Sequence, residues 1–477
     1  MPNVETASKL SLAKFPTQKL SLIYSSLLII IAGSYFLHPI LPIGIAFIFS
    51  ILAFRHWIRF DMLFYAIIVM FLLISPNVPP HEKHFRSPIL LKEFLAQDIL
   101  LFAALFLFAI ALLTQKITFP KPKTFTEKAF LLFVISFLCS LVVGLLQNNR
   151  SEYVISEARD FAYLLLFWLI LVYAARFERL YMYVLVFVGC CALFAAISVI
   201  DAAVRYNFSR YNSGISFLLL GGFFFCLSAL IAGVFEKHRT LVIGLLITFL
   251  VAIVVSFTRG LYLGLVVGLL VVMFRTGAAQ TVRLVIFSAL ILSGVLGILF
   301  LFNLTPDFLI EQTVNRGTEV AGGIDVSSAE RILEIVAVLN DFPKHPIFGD
   351  GIGGTIRVYR FTDLVGKSGM TDWWFIHNNY FQTLHKQGLV GIIALLLLWI
   401  SATWKSYTLY KVVSETKKKA LLLMTLGTLV GFMTISMTSA VMTYSNTNFL
   451  NALLFAVVVI IEQEQKHIEN LRHNNER

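Results

Sequence analysis

Two histidines, His377 and His385, lie in the segment WWFIHNNYFQTLHKQGLVG. A neutral histidine can accept a proton from a hydroxyl group, and histidine is also a common metal ligand. Side chains on one helix can share a metal ion when they are three or four residues apart, whereas these two are separated by about 12 Å along a helix axis. No cysteine or carboxylate cluster accompanies them in the sequence. We therefore predict no metal site, a chemical role for His377, and packing or hydrogen bonding for His385.

Two arginines are placed where stability alone gives little reason for a cation. Arg259, in SFTRGLYLGL, is the only charge between two apolar blocks. It is suited to bind a lipid-linked phosphate at the membrane face, or it extends to lipid headgroups as a structural residue. Arg331 falls in the first turn of a predicted helix, where the helix dipole disfavours a positive charge. Its alternative role is that of a solvated residue next to Glu334.

The segment around Arg331 has the pattern of a helix. In SSAERILEIVAVLNDFP, Ser327 as N-cap and Glu330 three residues later predict a capping box. Asp341 and Pro343 predict the end of the helix. Its predicted apolar stripe consists of Ile332, Ile335, Val336 and Leu339.

A glycine-rich segment, HPIFGDGIGGT, follows this helix. Its spacing fits neither of the common nucleotide-binding glycine patterns, and no predicted strand precedes it. Glycines such as Gly351 are therefore expected to allow tight turns and a close approach of the backbone to its neighbours.

The composition limits the class of protein. Of the 477 residues, 58% are hydrophobic and 14% are charged, with a mean hydropathy of +0.83. A soluble domain is about half apolar and a quarter charged, so the chain is predicted to be an all-α polytopic membrane protein. The four cysteines lie inside apolar blocks, which favours packing over disulfides or a metal site.

About 12 to 14 apolar blocks are long enough to cross a bilayer, although the shorter ones are weak candidates. They predict an N-terminal transmembrane bundle of about 11 spans at 1–302, a loop subdomain at 303–387, and C-terminal helices with a tail at 388–477. Lysine and arginine are concentrated in the loops on the side of the N-terminus, so both termini are predicted to be cytoplasmic. The chain is then predicted to have one long helical periplasmic loop. The net charge of +11 reflects these topology signals, and no nucleic acid partner is expected.

Three segments together resemble the O-antigen ligase and O-antigen polymerase family of bacterial inner-membrane glycosyltransferases. SFTRGLYLGL resembles the family's arginine at the end of a span. SAERILEIVAVLNDFPKHPIFGDGIGG resembles its loop arginine followed by proline and a glycine-rich turn, and HNNYFQTLHKQGLVG resembles its His-Asn, aromatic, Leu and Gly-x-x-Gly signature. The resemblance covers about 250 to 395.

This resemblance implies a GT-C-like fold with its active site at the periplasmic membrane face. The donor would be a glycan on undecaprenyl pyrophosphate, and the acceptor would be lipid A-core or another lipid-linked glycan. His377 would be catalytic, Arg259, Arg331 and Arg210 would bind the donor pyrophosphate, and Asn378, Tyr380 and Gly351 would support the site. The reaction would need no cofactor, metal or ATP. Trp373 and Trp374 are expected to anchor or line the site at the membrane interface.

Two alternatives remain at this point. A polymerase is favoured by the high span count and by the spacing of Arg210 and Gly221, whereas the single long loop favours a ligase. A transporter or flippase would also have many spans, but such proteins usually carry internal repeats and polar residues at mid-membrane, which this sequence lacks. O-antigen ligation is the preferred prediction.

Overall fold

The computed structural model describes Phe64 and residues 89–91, 94–115, 117–174, 176–205, 213–256, 258–277, 326–361 and 369–475. Two short strands, β1 (Ile89–Leu91) and β2 (Phe94–Leu95), come directly before helix α1. The helices up to the long loop are α1 (Ala96–Leu113), α2 (Phe125–Leu146), α3 (Ser151–Ala162), α4 (Leu166–Tyr173), α5 (Phe177–Arg205), α6 (Ser213–Ala232), α7 (Arg239–Val255) and α8 (Arg259–Thr276). The later elements are α9 (Val326–Asp341), β3 (Ile356–Arg360), β4 (Gly369–Trp373), α10 (Asn379–Val412), α11 (Thr416–Ile435) and α12 (Ser445–Asn475).

The prediction of an all-α polytopic membrane protein is confirmed. Among the described residues, seven helices are long and apolar enough to cross a membrane, namely α2, α5, α7 with the short 3₁₀ turn before it, α8, α10, α11 and α12. Two more apolar helices, Leu100–Leu113 and Ser216–Ala232, are shorter. The predicted spans before α1, and the one at about 284–302, lie outside the described residues.

Helix α12 lies at the centre of the bundle. Its apolar part is almost entirely buried, and α4, α6, α10 and α11 all contact it. A helix that is apolar on every side is stable only when neighbours or lipid surround it. This buried helix therefore fixes the positions of the helices around it.

The long loop contains both helix and sheet. The predicted helix is confirmed as α9, and it ends at Asp341 as expected. It begins at Val326, before Ser327, and the Glu330 carboxylate binds the guanidinium of Arg360 and the amide of Phe361. The predicted capping box is therefore wrong, because a contact distant in sequence takes the carboxylate.

The predicted apolar stripe of α9 does not face the core. Ile332, Val336 and Leu339 are exposed, whereas Glu334 and Val338 are buried. The buried face packs against β3 and the start of α10, which supply a cation and polar groups. Strands β3 and β4 form an antiparallel pair, so the loop predicted as helical also contains a small sheet.

The glycine-rich segment fills a break in helix α10. Gly388 has φ +64° and ψ −160°, so the helix is interrupted there. The amides of Leu389 and Val390, which the break frees, donate to the carbonyls of Pro346 and Ile347 at 2.9 and 3.2 Å. Backbone groups at membrane depth must be bonded within the protein, and this turn satisfies two of them.

Candidate functional site

Several of the predicted residues lie near the C-terminal end of helix α11. We call this end the His377 end of the bundle. The amide of Asn379 donates to the carbonyl of Ser436, directly after α11, at 2.8 Å. A Cβ atom on Gly260 would lie 2.6 Å from the hydroxyl of Thr438, so the first turn of α8 approaches the same segment. Arg259, the exposed first residue of α8, and His377 therefore flank the chain that follows α11.

The cationic segment Lys417–Lys419 lies at the opposite end of α11. Helix α11 has 20 residues, which corresponds to a length of about 30 Å, the thickness of a bilayer core. The lysine cluster and the His377 end are therefore separated by about one membrane thickness, as the loop charges predict.

A buried carboxylate orients the His377 ring. Glu334 of α9 accepts hydrogen bonds from the backbone amide of His377 at 2.7 Å and from its ring Nδ1 at 2.9 Å. The Glu334 side chain is 1% exposed, whereas that of His377 is 35% exposed. In the neutral ring, a proton on Nδ1 that faces this carboxylate leaves Nε2 with a lone pair. Nε2 has no hydrogen-bond partner among the described residues. This is the arrangement of a histidine base with an orienting acid.

Arg360 of β3 supplies the countercharge for this carboxylate. Its guanidinium bridges Glu330 at 2.9 Å and Glu334 at 3.0 Å, and it stacks over the ring of Trp373 with 4.0 Å to the centroid. A buried carboxylate is costly unless a cation and hydrogen bonds compensate it. Strand β3 thus places a compensating cation beside Glu334 and the His377 ring.

Arg331 lies on the face of α9 that contacts the His377 segment. It is three residues before Glu334, and residues at this spacing are neighbours on a helix surface. Val338, on the same side of the helix, packs with Ile376 in a small apolar cluster. The structure thus brings the Arg331 position within one helical turn of the acid that binds His377.

Two of the three residues predicted to support the site fix the start of α10. Asn378 is the N-cap of α10, and its side chain accepts from the amides of Tyr380 and Phe381. Its amide group donates to the carbonyl of Met437 at 2.9 Å. The hydroxyl of Tyr380 donates to the carbonyl of Met433 at 2.7 Å. Both side chains therefore anchor the His377 segment to α11 and the chain after it.

Gly351 lies apart from His377 and has a packing role. It has φ +75°, and a Cβ there would be 2.2 Å from the backbone nitrogen of Gly144 in α2. Gly221 likewise has a packing role, because a Cβ there would lie 3.0 Å from the side chain of Leu450 in α12. Arg210 itself lies outside the described residues.

His385 belongs to a second cluster, separate from His377. Its side chain is 2% exposed, and its Nδ1 lies 3.0 Å from Asp350 and 3.9 Å from Asp341. His345 contacts the other carboxylate oxygen of Asp350. Burial acts to raise the pKa of Asp350, but hydrogen bonds with His385 and Asp341 outweigh it and hold that pKa below its usual range. The sequence interpretation missed this cluster because His385 lies 35 residues after Asp350 and meets it only in the folded chain.

Aromatic rings extend from His377 along the protein surface. Phe375 meets the His377 ring edge-on with 5.0 Å between centroids, and Trp374 stacks on Tyr153 of α3 at 5.2 Å. Helix α3 is amphipathic and precedes α4, as expected for a helix at a membrane interface. The interfacial position of Trp374 stays a prediction.

Sequence reasoning also missed Glu334, Arg360 and Glu330 as members of the site. Of these three residues, only Glu334 has a signal in the sequence. It lies one turn before Val338, so an acid and an apolar residue share one face of α9, and the opposite face is also apolar. The relation between Arg360 and Glu334 depends on strand β3 folding against α9, which no local pattern reveals.

A comparison with protein families gives a match to part of the chain. Residues 244–396 match the sequence model of the family described as O-antigen ligase, and no curated protein matches the chain. The matched segment contains α8, α9, both strands of the loop and the start of α10, and thus Arg259, Arg331 and His377. Such a match implies glycan transfer of the O-antigen ligase or polymerase type, with lipid-linked glycans as substrates. This segment, 153 of the 477 residues, is similar to the O-antigen ligase family, and the long apolar helices among the described residues are those of a multi-pass membrane protein.

Proposed function

We propose that this protein transfers a glycan from undecaprenyl pyrophosphate to a hydroxyl group of lipid A-core, at the periplasmic face of the bacterial inner membrane. The observation that carries the proposal is the Glu334–His377 pair, because it leaves a ring nitrogen open at one end of a transmembrane bundle. Both residues lie inside the segment that matches the O-antigen ligase family.

In the proposed reaction, His377 Nε2 accepts the proton of the acceptor hydroxyl. The acceptor oxygen forms a bond to the anomeric carbon of the donor sugar while the bond from that carbon to the pyrophosphate oxygen breaks. Glu334 holds the proton on Nδ1 and stabilises the imidazolium that results. The proton then leaves to solvent or to the departing pyrophosphate.

The departing undecaprenyl pyrophosphate gains negative charge, which Arg259 and Arg331 are proposed to stabilise. An arginine guanidinium can bind phosphate oxygens through two parallel hydrogen bonds. Arg259 is exposed at the start of α8, and Arg331 lies one turn from Glu334 on α9. Arg210 is the third candidate for this role. The reaction as proposed uses no metal or cofactor.

The position at the bundle end suits a substrate with a lipid tail and a polar head. The polyprenyl chain would stay in the bilayer, while the glycan would extend past the rings of Phe375, Trp374 and Tyr153. Aromatic rings at an interface present an apolar face and are suited to pack against a sugar ring. Membrane lipids would surround the remaining helix surfaces.

The test is a gene deletion in the source bacterium, complemented with the wild-type chain or with His377→Ala, and analysed as lipopolysaccharide on a gel. A ligase predicts that the deletion and His377→Ala lose attached O-chain and accumulate lipid-linked polymer. Core carrying a single repeat would instead identify a polymerase, and an unchanged profile would overturn both.

Matched controls separate the site from general damage. His467 and Arg472 lie exposed in the C-terminal part of α12, at the end away from His377. His467→Ala and Arg472→Ala should complement fully, whereas His377→Ala and Arg259→Ala should not. Equal loss in both sets, with equal amounts of protein in the membrane, would contradict the assigned roles.

A further inference from the structure

We propose that Asp341, His345, Asp350 and His385 form a binding site for one zinc-type divalent cation, separate from the transfer site. The four side chains come from the end of α9, the turn after it, the glycine-rich segment and α10. Asp341, Asp350 and His385 each offer a ligand atom, and these three atoms lie within 4.8 Å of one another. The proposal does not depend on the proposed glycan transfer.

The distances between the ligand atoms are compatible with one shared cation. Four ligands at zinc bond lengths of about 2.0–2.2 Å are roughly 3.4 Å apart in a tetrahedron. His385 Nδ1 is 3.0 Å from Asp350 Oδ2 and 3.9 Å from Asp341 Oδ2. The longer distance exceeds that of a hydrogen bond, whereas a cation between the three atoms would reach all of them after small shifts.

The ligand types favour zinc or a similar transition metal. The set combines two imidazoles and two carboxylates, whereas calcium and magnesium prefer oxygen ligands only. Lys344 occupies Oδ1 of Asp341 at 2.6 Å, which leaves Oδ2 for a single metal bond. His345 is 45% exposed on its side chain, so its ring is free to turn from Asp350 toward a cation.

The buried position of His385 supports a prepared site. Its side chain is 2% exposed, and Nδ1 is directed at the two carboxylates. The amide of Asp350 donates to the His385 carbonyl at 2.8 Å, and a Cβ on Gly349 would lie 2.3 Å from that carbonyl. The backbone therefore holds Asp350 and His385 together before any ion binds.

A cation here would link α9 to α10 at a second point. Asp341 follows Glu334 by two turns on α9, and His385 follows His377 by two turns along the next segment. The Glu334–His377 contact would be the first link, and the metal would be the second, about 10–12 Å farther along. The expected role of the ion is to stabilise the orientation of α9.

The experiment uses the full chain, purified in detergent without a polyhistidine tag. Zinc is titrated calorimetrically, bound metal is counted after desalting, and the midpoint of thermal unfolding is measured with zinc and with EDTA. One zinc per chain is expected, with a midpoint rise of roughly 2–5 °C at 100 times Kd. His377→Gln, which removes a histidine outside the cluster, should keep the site.

Asp341→Asn and His385→Gln should each lose the bound zinc and the zinc-dependent rise. If His385→Gln fails to fold, His345→Ala serves instead, because its side chain is largely exposed, and it should weaken zinc binding at least tenfold. Less than about 0.1 zinc per wild-type chain, or the same zinc binding in Asp341→Asn as in the wild type, would overturn the site and leave a hydrogen-bonded clamp. Loss of zinc binding with O-chain attachment retained would separate this site from the proposed function.

Discussion

The two histidines of one helical segment occupy opposite environments. His377 is partly exposed, and a single buried glutamate binds one of its ring nitrogens. His385 is buried, and aspartates from two other segments surround it. A carboxylate next to a histidine is therefore not enough to identify that histidine as a catalytic base. The second ring nitrogen must also be open to a substrate, and this holds for His377 alone of the two.

The largest expected effect is that of His377→Ala on glycan transfer. A positioned base contributes about 100- to 10,000-fold to a rate, and transfer should fall by at least the lower figure. The free energy of unfolding should change little, because the side chain is partly exposed. Transfer is measured with purified protein, lipid-linked donor and core acceptor, with His467→Ala as control. A loss below tenfold would remove His377 from the chemical step.

His385→Ala should lower the stability of the fold more than it lowers glycan transfer. Removal of this buried side chain leaves a cavity and takes a partner from Asp350, at a cost of about 2–4 kcal/mol in the free energy of unfolding. The thermal unfolding midpoint in detergent, measured without added zinc, should fall well below that of His377→Ala. Equal thermal unfolding midpoints for His385→Ala and His377→Ala would contradict the claim that His385 contributes more to stability than His377.

Glu334→Gln should reduce transfer by roughly tenfold or more, because an amide orients the His377 ring without stabilising its protonated form. The decisive measurement is the double variant. If Glu334 acts through His377, Glu334→Gln should cause almost no further loss in the His377→Ala background. Additive losses would assign Glu334 an independent role, and an altered pH profile of the single variant would support the positioning role.

The smallest expected effect is that of Tyr380→Phe. This variant removes one hydrogen bond to the Met433 carbonyl and should cost about 1 kcal/mol in the free energy of unfolding. Transfer should stay within a few-fold of the wild type, because Asn378 still caps α10. A loss as large as that of Glu334→Gln would show that the Tyr380 hydroxyl contributes to the reaction.

Much of the architecture could be predicted from the chain itself. Long apolar blocks predicted the described spans, and Asp341 with Pro343 predicted the end of α9. The same local reasoning failed for the capping box and the apolar stripe of α9. Glu330 and Glu334 bind Arg360, about 30 residues away, and this contact turns the polar face of the helix inward.

The sequence by itself determined the membrane class and the identity of the residues suited to chemistry, because hydropathy and side-chain type are properties of single segments. It also singled out His377 over a metal pair with His385, since helix geometry keeps them apart. Only the tertiary structure decided the partners of each histidine. Glu334 contacts His377 because α9 folds against the start of α10, and Asp341 and Asp350 contact His385 because the glycine-rich turn packs into the break of α10. Such contacts depend on packing between segments that are distant in the chain.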